Sequence, residues 1–323
     1  QGRSEQAISD LTALTSHPMA TSNLLLRVLV IDAMHRVMRE AAENPDQIAA
    51  SYRPYLDLLS DPSLDNARDG LRDFIHQRWV SSVPPDSDLS QLPPVVVGAM
   101  GRILRVEGQN LAFEGKQPEL AKEKLARAQQ VNSDLLKRDK LDPAVRAQAM
   151  YNQAVAIYFL GRNDVGEILI ATKIMVDLAQ RYPDQPIGEE AISSAVSGVL
   201  HPLHTKSQQV AGVDEAYRRG AKVLLDQYAD SAAANDERFY YASKVLVPAR
   251  QFEDAIATLA RVPFGHASYF EAQRELLYSG LAQVYDGGGD RAKLASEARR
   301  VQTESTGTSG GVGDSAEAAL NAG

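Results

Sequence analysis

The chain has 323 residues and a formal net charge of −8, a balance that argues against a broad nucleic-acid footprint. It contains no cysteine, which excludes disulfides, cysteine-ligated zinc and thiol catalysis. The most apolar run, at 24–31, is interrupted by Arg27 and too short to cross a bilayer, so no membrane span is expected. Residues 1–10 are polar and show no secretory signal, although a mature, already cleaved N-terminus would look the same. A soluble protein, cytoplasmic or exported, is the expectation, with the missing cysteine leaning towards export from a bacterial cell.

Helix formers dominate and alternating β-branched runs are scarce, so the expected fold class is all-α. A short helix is predicted over 4–15, punctuated by Ser16-His17-Pro18. Thr21 or Ser22 then caps a helix reaching about Ala42, with Leu25, Val28, Leu29, Ala33, Val37 and Ala41 inward. Asn44-Pro45-Asp46 breaks that run and starts the next helix, whose Tyr52, Tyr55 and Leu58 face in. Asp61-Pro62 repeats the device ahead of Leu71, Phe74, Ile75 and Trp79. Residues 1–82 are read as an N-terminal helical bundle and the proline- and serine-rich 83–94 as a linker.

Helical hairpins follow: 95–113 with 117–137, 142–160 with 164–182, 187–203 with 211–229, 234–249 with 251–262, and 267–285 with 290–303. The first helix of the third pair is rich in small residues (Ala191, Ser193, Ser194, Ala195, Ser197, Gly198), which predicts a close neighbour. Residues 304–323 are Gly/Ser/Thr-rich and are read as a flexible tail. A stripe of large, small, large and then usually glycine recurs as Leu104–Gly108–Leu111–Gly115, Met150–Ala154–Ile157–Gly161, Phe239–Ser243–Leu246–Arg250 and Tyr278–Ala282–Tyr285–Gly289. The small position admits a partner helix, and the glycine is expected to end the helix in a left-handed conformation. Leu104 and Met150 stand 46 residues apart and Phe239 and Tyr278 stand 39 apart, as in helical-hairpin repeats.

The stretch at 239–263, FYYASKVLVPARQFEDAIATLARVP, resembles a tetratricopeptide repeat. Phe239, Ser243, Leu246, Phe252, Ala255, Leu259 and Pro263 fall on or next to the signature positions of that family. Residues 150–161 look like the first half of another copy, with Gly166 at the small position of its second helix; the stripes at 104 and 278 match less well. The resemblance covers about 95–303 and implies a right-handed α-solenoid of about five hairpins that binds proteins along a concave face. Carried onto this chain, that face comprises Arg105, Gln109, Tyr151, Val155, Tyr158, Tyr240, Lys244, Ser279 and Gln283. Packing between repeats is the competing reading for the three tyrosines. The family's clamp for C-terminal carboxylates is matched only by Lys244, with Val155 where a polar residue would be wanted.

Chemistry-bearing motifs are sparse. His201 and His204 share one helical face, but Pro202 lies between them and no carboxylate is near in sequence, so a structural role is expected over a metal pair. No phosphate loop, zincin motif or nucleophile elbow occurs, and no catalytic residue, metal or cofactor is expected. Residues 116–140 interleave seven basic and four acidic side chains, the pattern of a solvated helix face. The expected function is a non-catalytic scaffold for a protein or peptide partner, or a subunit of a larger complex. The alternative is a small-ligand receptor or helical enzyme with a site at the junction of bundle and solenoid, into which His76, Arg78 and Trp79 would point.

Overall fold

The computed structural model describes residues 2–59, 77 and 88–308. The described residues are helical and include no strand, and none of their helices is long and apolar enough to cross a membrane. The predicted helix at 61–79, with His76, Arg78 and Trp79, and the tail beyond 308 lie outside the described residues. Two compact units divide the chain, 1–171 and 172–323.

In the first unit the helices are α1 (Gly2–Thr15), α2 (Pro18–Ser22), α3 (Leu24–Glu40), α4 (Pro45–Ser51), α5 (Arg53–Leu59), α6 (Pro94–Glu114), α7 (Pro118–Leu136) and α8 (Pro143–Leu160). Their starts follow from local chemistry. Proline opens α4, α6, α7 and α8 at a position whose N–H would have no helical partner. Asn44 and Asp142 cap α4 and α8 by accepting backbone N–H bonds at 3.0 and 2.8 Å. For α3 the cap is Asn23, which accepts from Leu26 at 3.1 Å, and not Thr21 or Ser22.

Tyr52, Tyr55 and Leu58 are buried as the sequence predicts. The inward face of α3 differs: Val28, Ile31, Met34 and His35 are buried, whereas Leu25, Leu29, Ala33 and Ala41 are exposed. Both stripes obey the helical period, and the neighbours choose between them. Val28, Ile31, Tyr52, Tyr55 and Leu58 share one core with Val96, Val97, Val131, Leu135 and Ala149, so helices on both sides of the proline-rich segment bury a common surface. Arg138 fastens the end of that segment, donating to the carbonyls of Leu89 and Leu92.

α6 and α7 are antiparallel, since Gly98 lies beside Leu135, Gly101 beside Asn132 and Gly108 beside Leu125. A Cβ on Gly108 would stand 2.7 Å from Leu125 Cγ, so a small residue there does admit the partner helix. α6 and α8 run parallel, with Arg105 over the ring of Tyr151 and Phe113 edge-on to Phe159, both pairs 46 residues apart. Gly115 ends α6 at φ +68°, as expected. The other two glycines depart from expectation. Gly161 closes α8 at φ −108°, and after the helix that ends at Tyr285 the left-handed position is Gly287, not Gly289.

α9 (Val165–Arg181) carries the division between the units. The second unit continues with α10 (Pro186–Ser193), α11 (His201–Ser207), α12 (Val213–Gln227), α13 (Ala232–Tyr241), α14 (Phe252–Leu259), α15 (Tyr269–Tyr285) and α16 (Arg291–Thr308). Wider π-helical turns at Ser194–Leu200 and Ala242–Leu246 join α10 to α11 and extend α13. Bonds such as Val247 N–H to Ala242 C=O, five residues back, rotate everything downstream relative to a regular helix. The stripe through Phe239 and Leu246 is therefore broken before Arg250, which is exposed and adopts φ +59°. The close approach expected at the small-residue helix is present, yet a Cβ on Gly198 would meet nothing within 4 Å. The glycine that yields room is Gly220 on α12, beside Val196 and Leu200.

Candidate functional site

The residues predicted for a partner-binding face divide by burial. On α6, Arg105 and Gln109 are half-buried and joined by a 2.9 Å hydrogen bond from the guanidinium to the amide oxygen. Tyr151 and Val155 are buried, because α8 packs against both α6 and α7 and its face towards them is covered. Tyr158 is half-buried, edge-on to Phe159. In the second unit Lys244 is exposed, Gln283 is half-buried and Ser279 is buried. Tyr151, Val155 and Ser279 are thus packing residues, correcting their assignment to an accessible surface.

On α15 two stripes keep the helical period, and only one is covered. Its buried face is Tyr269, Ala272, Gln273, Leu276, Ser279 and Gly280. The aromatic stripe of Tyr278 and Tyr285, expected inward, points the opposite way: Phe270, Tyr278, Leu281 and Tyr285 are 48%, 60%, 44% and 82% exposed. At 100° per residue these four and Arg274 fall on the side of the helix facing away from Leu276. Isolated exposed apolar residues are ordinary, but four on one helical face form a patch. Beneath α15, on its buried side, a groove of about 770 Å³ opens towards α14 and α16. Ile256, Leu276, Gly280 and Leu294 contribute its apolar surface, with Gln283 and Lys293 among its polar lining. Arg300 closes one end, bonded to Gln273 at 2.6 Å and to Glu297 and Glu304 at 2.9 and 2.8 Å.

The histidine pair sits in a second constellation, built by α11, α12 and α13. His201 Nδ1 lies 2.9 Å from Glu237 Oε1, and the Tyr217 hydroxyl donates to the same buried carboxylate. His204 is buried, with Nε2 2.9 Å from Asp214 Oδ1 and Nδ1 3.0 Å from the Tyr240 hydroxyl. A carboxylate can only accept, so Nε2 of His204 carries a proton towards Asp214. The rings stack in two pairs, His201 on Tyr240 at 3.9 Å and His204 on Tyr217 at 4.5 Å.

Tyr240, predicted to face a partner, is committed to this network. The hydrogen bond to Glu237 raises the His201 pKa against the opposing effect of burial. Burial pushes the Asp214 carboxyl up, but Arg218 and His204 outweigh it and leave it lowered. Desolvation and Glu237 hold the Tyr217 hydroxyl protonated. The two carboxylates come from 10 and 36 residues away in sequence, a proximity that the local motif could not signal. Among the described residues no group of three or more histidine, aspartate or glutamate side chains could hold a metal ion. These polar groups satisfy one another across three helices, an arrangement suited to fixing how those helices pack.

No family model matches the chain, and no curated protein matches it.

Proposed function

We propose that this chain is a non-catalytic protein-interaction scaffold or assembly subunit whose helical pairs stack as a tetratricopeptide-like right-handed solenoid. The stacking is supported by contacts between corresponding helices at near-constant sequence offsets. Arg105–Tyr151 and Phe113–Phe159 are 46 residues apart in the first unit, and His201–Glu237 and Arg250–Asp286 are 36 apart in the second. Stacked pairs of this kind offer extended area in place of a closed pocket.

The observation that carries the function is the exposed face of α15. Phe270, Tyr278, Leu281 and Tyr285 present apolar surface to solvent on the side opposite the core of their own helix. Rigid tyrosines give contact area at a small cost in rotamer entropy, which suits them to protein recognition.

A photo-crosslinking residue at Tyr278 or Tyr285 of the full chain, irradiated in an extract of the native source, tests the reading. The expected result is a discrete protein adduct that excess unlabelled chain competes away, with no such adduct from the exposed Lys222 on α12. Equal labelling from all three positions, or none from α15, would refute it.

A further inference from the structure

Among the described residues the buried side chains with a full formal charge are Glu237 and Arg238, 1% and 4% exposed. Only the first faces a group that can neutralise it. Glu237 accepts from His201 and Tyr217, whereas Arg238 donates to Asn235 Oδ1 and the Ala229 carbonyl, both neutral. A guanidinium has five N–H donors and does not give up its proton, and a buried charge is costly unless something compensates it. Burial depresses the Arg238 pKa, and the positive charge of Arg261 depresses it further against a weaker pull from Asp230.

Both guanidiniums line a cavity of about 250 Å³ between α12, α13 and α14. Of the five charged side chains described on its wall three are positive, and the two carboxylates are both drawn to Lys222. Asp226 bonds that ammonium at 3.1 Å. Asp254 precedes Arg261 by seven residues, about 10 Å along a helix, and so stands away from the arginine pair. Arg261 is exposed and forms no ion pair among the described residues. An exposed arginine in that state is ordinary, because water solvates it; a buried one facing a second guanidinium is not.

We propose that this cavity binds a phosphate group, with its oxygens held between the Arg238 and Arg261 guanidiniums. The guanidinium fork matches two oxygens of such an anion. A phosphate ester carries about −1.5 to −2 charges at neutral pH, enough to answer both cations, where a carboxylate would leave one unanswered. The Thr258 and Tyr241 hydroxyls on the same wall are neutral donors, the second kept protonated by burial. At roughly 30 Å³ per water-sized group, the cavity has room for about eight heavy atoms, a phosphate with a short substituent. The site is separate from the α15 face and does not depend on the scaffold reading.

Calorimetric titration of the full chain with sodium phosphate, at an ionic strength held constant with sodium chloride, tests the site. Saturable one-site binding is expected, with a Kd on the order of 1 mM or below, competed by sulfate and not by acetate. Glycerol phosphate reports the source: an ester bound at least as tightly as the free ion points to a phosphorylated small molecule, and a weaker one to inorganic phosphate. Arg261→Gln should weaken phosphate about tenfold, the scale of one well-placed charge contact. Arg261→Glu should abolish binding, and Arg250→Gln should leave it unchanged. Both positions are exposed, and unchanged circular dichroism confirms that the variants fold. Hydrogen exchange around α12–α14 should slow when phosphate is added. No saturable heat, an affinity unmoved by Arg261→Glu, or acetate bound as tightly as phosphate would overturn the assignment.

Discussion

His35 in the first unit and His201 in the second both sit against tyrosine rings, and protonation acts on them in opposite directions. His35 is buried, with Tyr52 and Tyr55 at ring separations of 4.6 and 5.4 Å. Its Nδ1 meets the Ser51 carbonyl at 2.9 Å, and its buried Nε2 has no hydrogen-bond partner among the described residues. Burial lowers its pKa, against weaker pulls from Ser51 and Asp32. His201 is only partly covered and faces the carboxylate of Glu237, whose hydrogen bond raises its pKa. Asp32, the carboxylate that acts on His35, instead receives the Tyr55 hydroxyl. What separates the sites is therefore the placement of one carboxylate, and the same residue type becomes an acid-labile filler in one unit and a charge-assisted tie in the other.

Removing that carboxylate is the strongest way to break the contrast. Glu237→Ala strands the Tyr217 hydroxyl and His201 Nδ1, and should cost about 3 kcal/mol. Hydrogen exchange read by mass spectrometry should show the loss around α11–α13, with α3–α5 unmoved. Glycines give a second test. Gly108→Ala forces a Cβ into Leu125 and should destabilise α6 and α7 by about 2 kcal/mol, whereas Gly198→Ala meets open space and should gain ~0.5 kcal/mol. Urea denaturation of the two variants should show midpoints moving in opposite directions.

A pH series sharpens the histidine contrast itself. The unfolded value for both groups is near 6.5. Below it the unfolded chain takes up a proton that buried His35 refuses, so the first unit should lose stability as pH falls through 6.5. The folded state holds a proton on His201 above 6.5, so its contribution is complete below 6.5 and fades as pH rises through the folded value. His35→Phe should flatten the acid loss and His201→Gln the alkaline one, each followed by unit-resolved exchange. The smallest effect is expected at Arg250, whose left-handed backbone glycine would accept without strain. Arg250→Gly should raise the unfolding midpoint slightly despite losing an exposed contact with Asp286.

Where a signal is local, the sequence reads well. The prolines that open α4, α6, α7 and α8, the caps Asn44 and Asp142, and left-handed Gly115 all act within one turn of themselves. Phase was harder. Along α15 the aromatic stripe Tyr278–Tyr285 and the buried face Tyr269–Leu276 both keep the helical period, and aromatic content pointed to the wrong one. On α3 the same ambiguity turned Leu25 and Leu29 outward. The π-turns before His201 and after Tyr241 add a residue that no periodic pattern announces. Of the nine residues predicted for a partner surface, Tyr151, Val155 and Ser279 are buried in packing and Tyr240 is bound to His204, while Phe270, Arg274 and Leu281 are exposed on α15 beside a stripe whose aromatic content signals a core.

The sequence by itself determined that the chain is helical and where most helices begin and end, because proline geometry, capping and helix propensity act over a few residues. Tertiary structure alone decided which stripe of α3 and α15 is covered and which carboxylates His201 and His204 meet. Periodicity fixes which side chains share a face, but the helix that arrives against it fixes which face is dry.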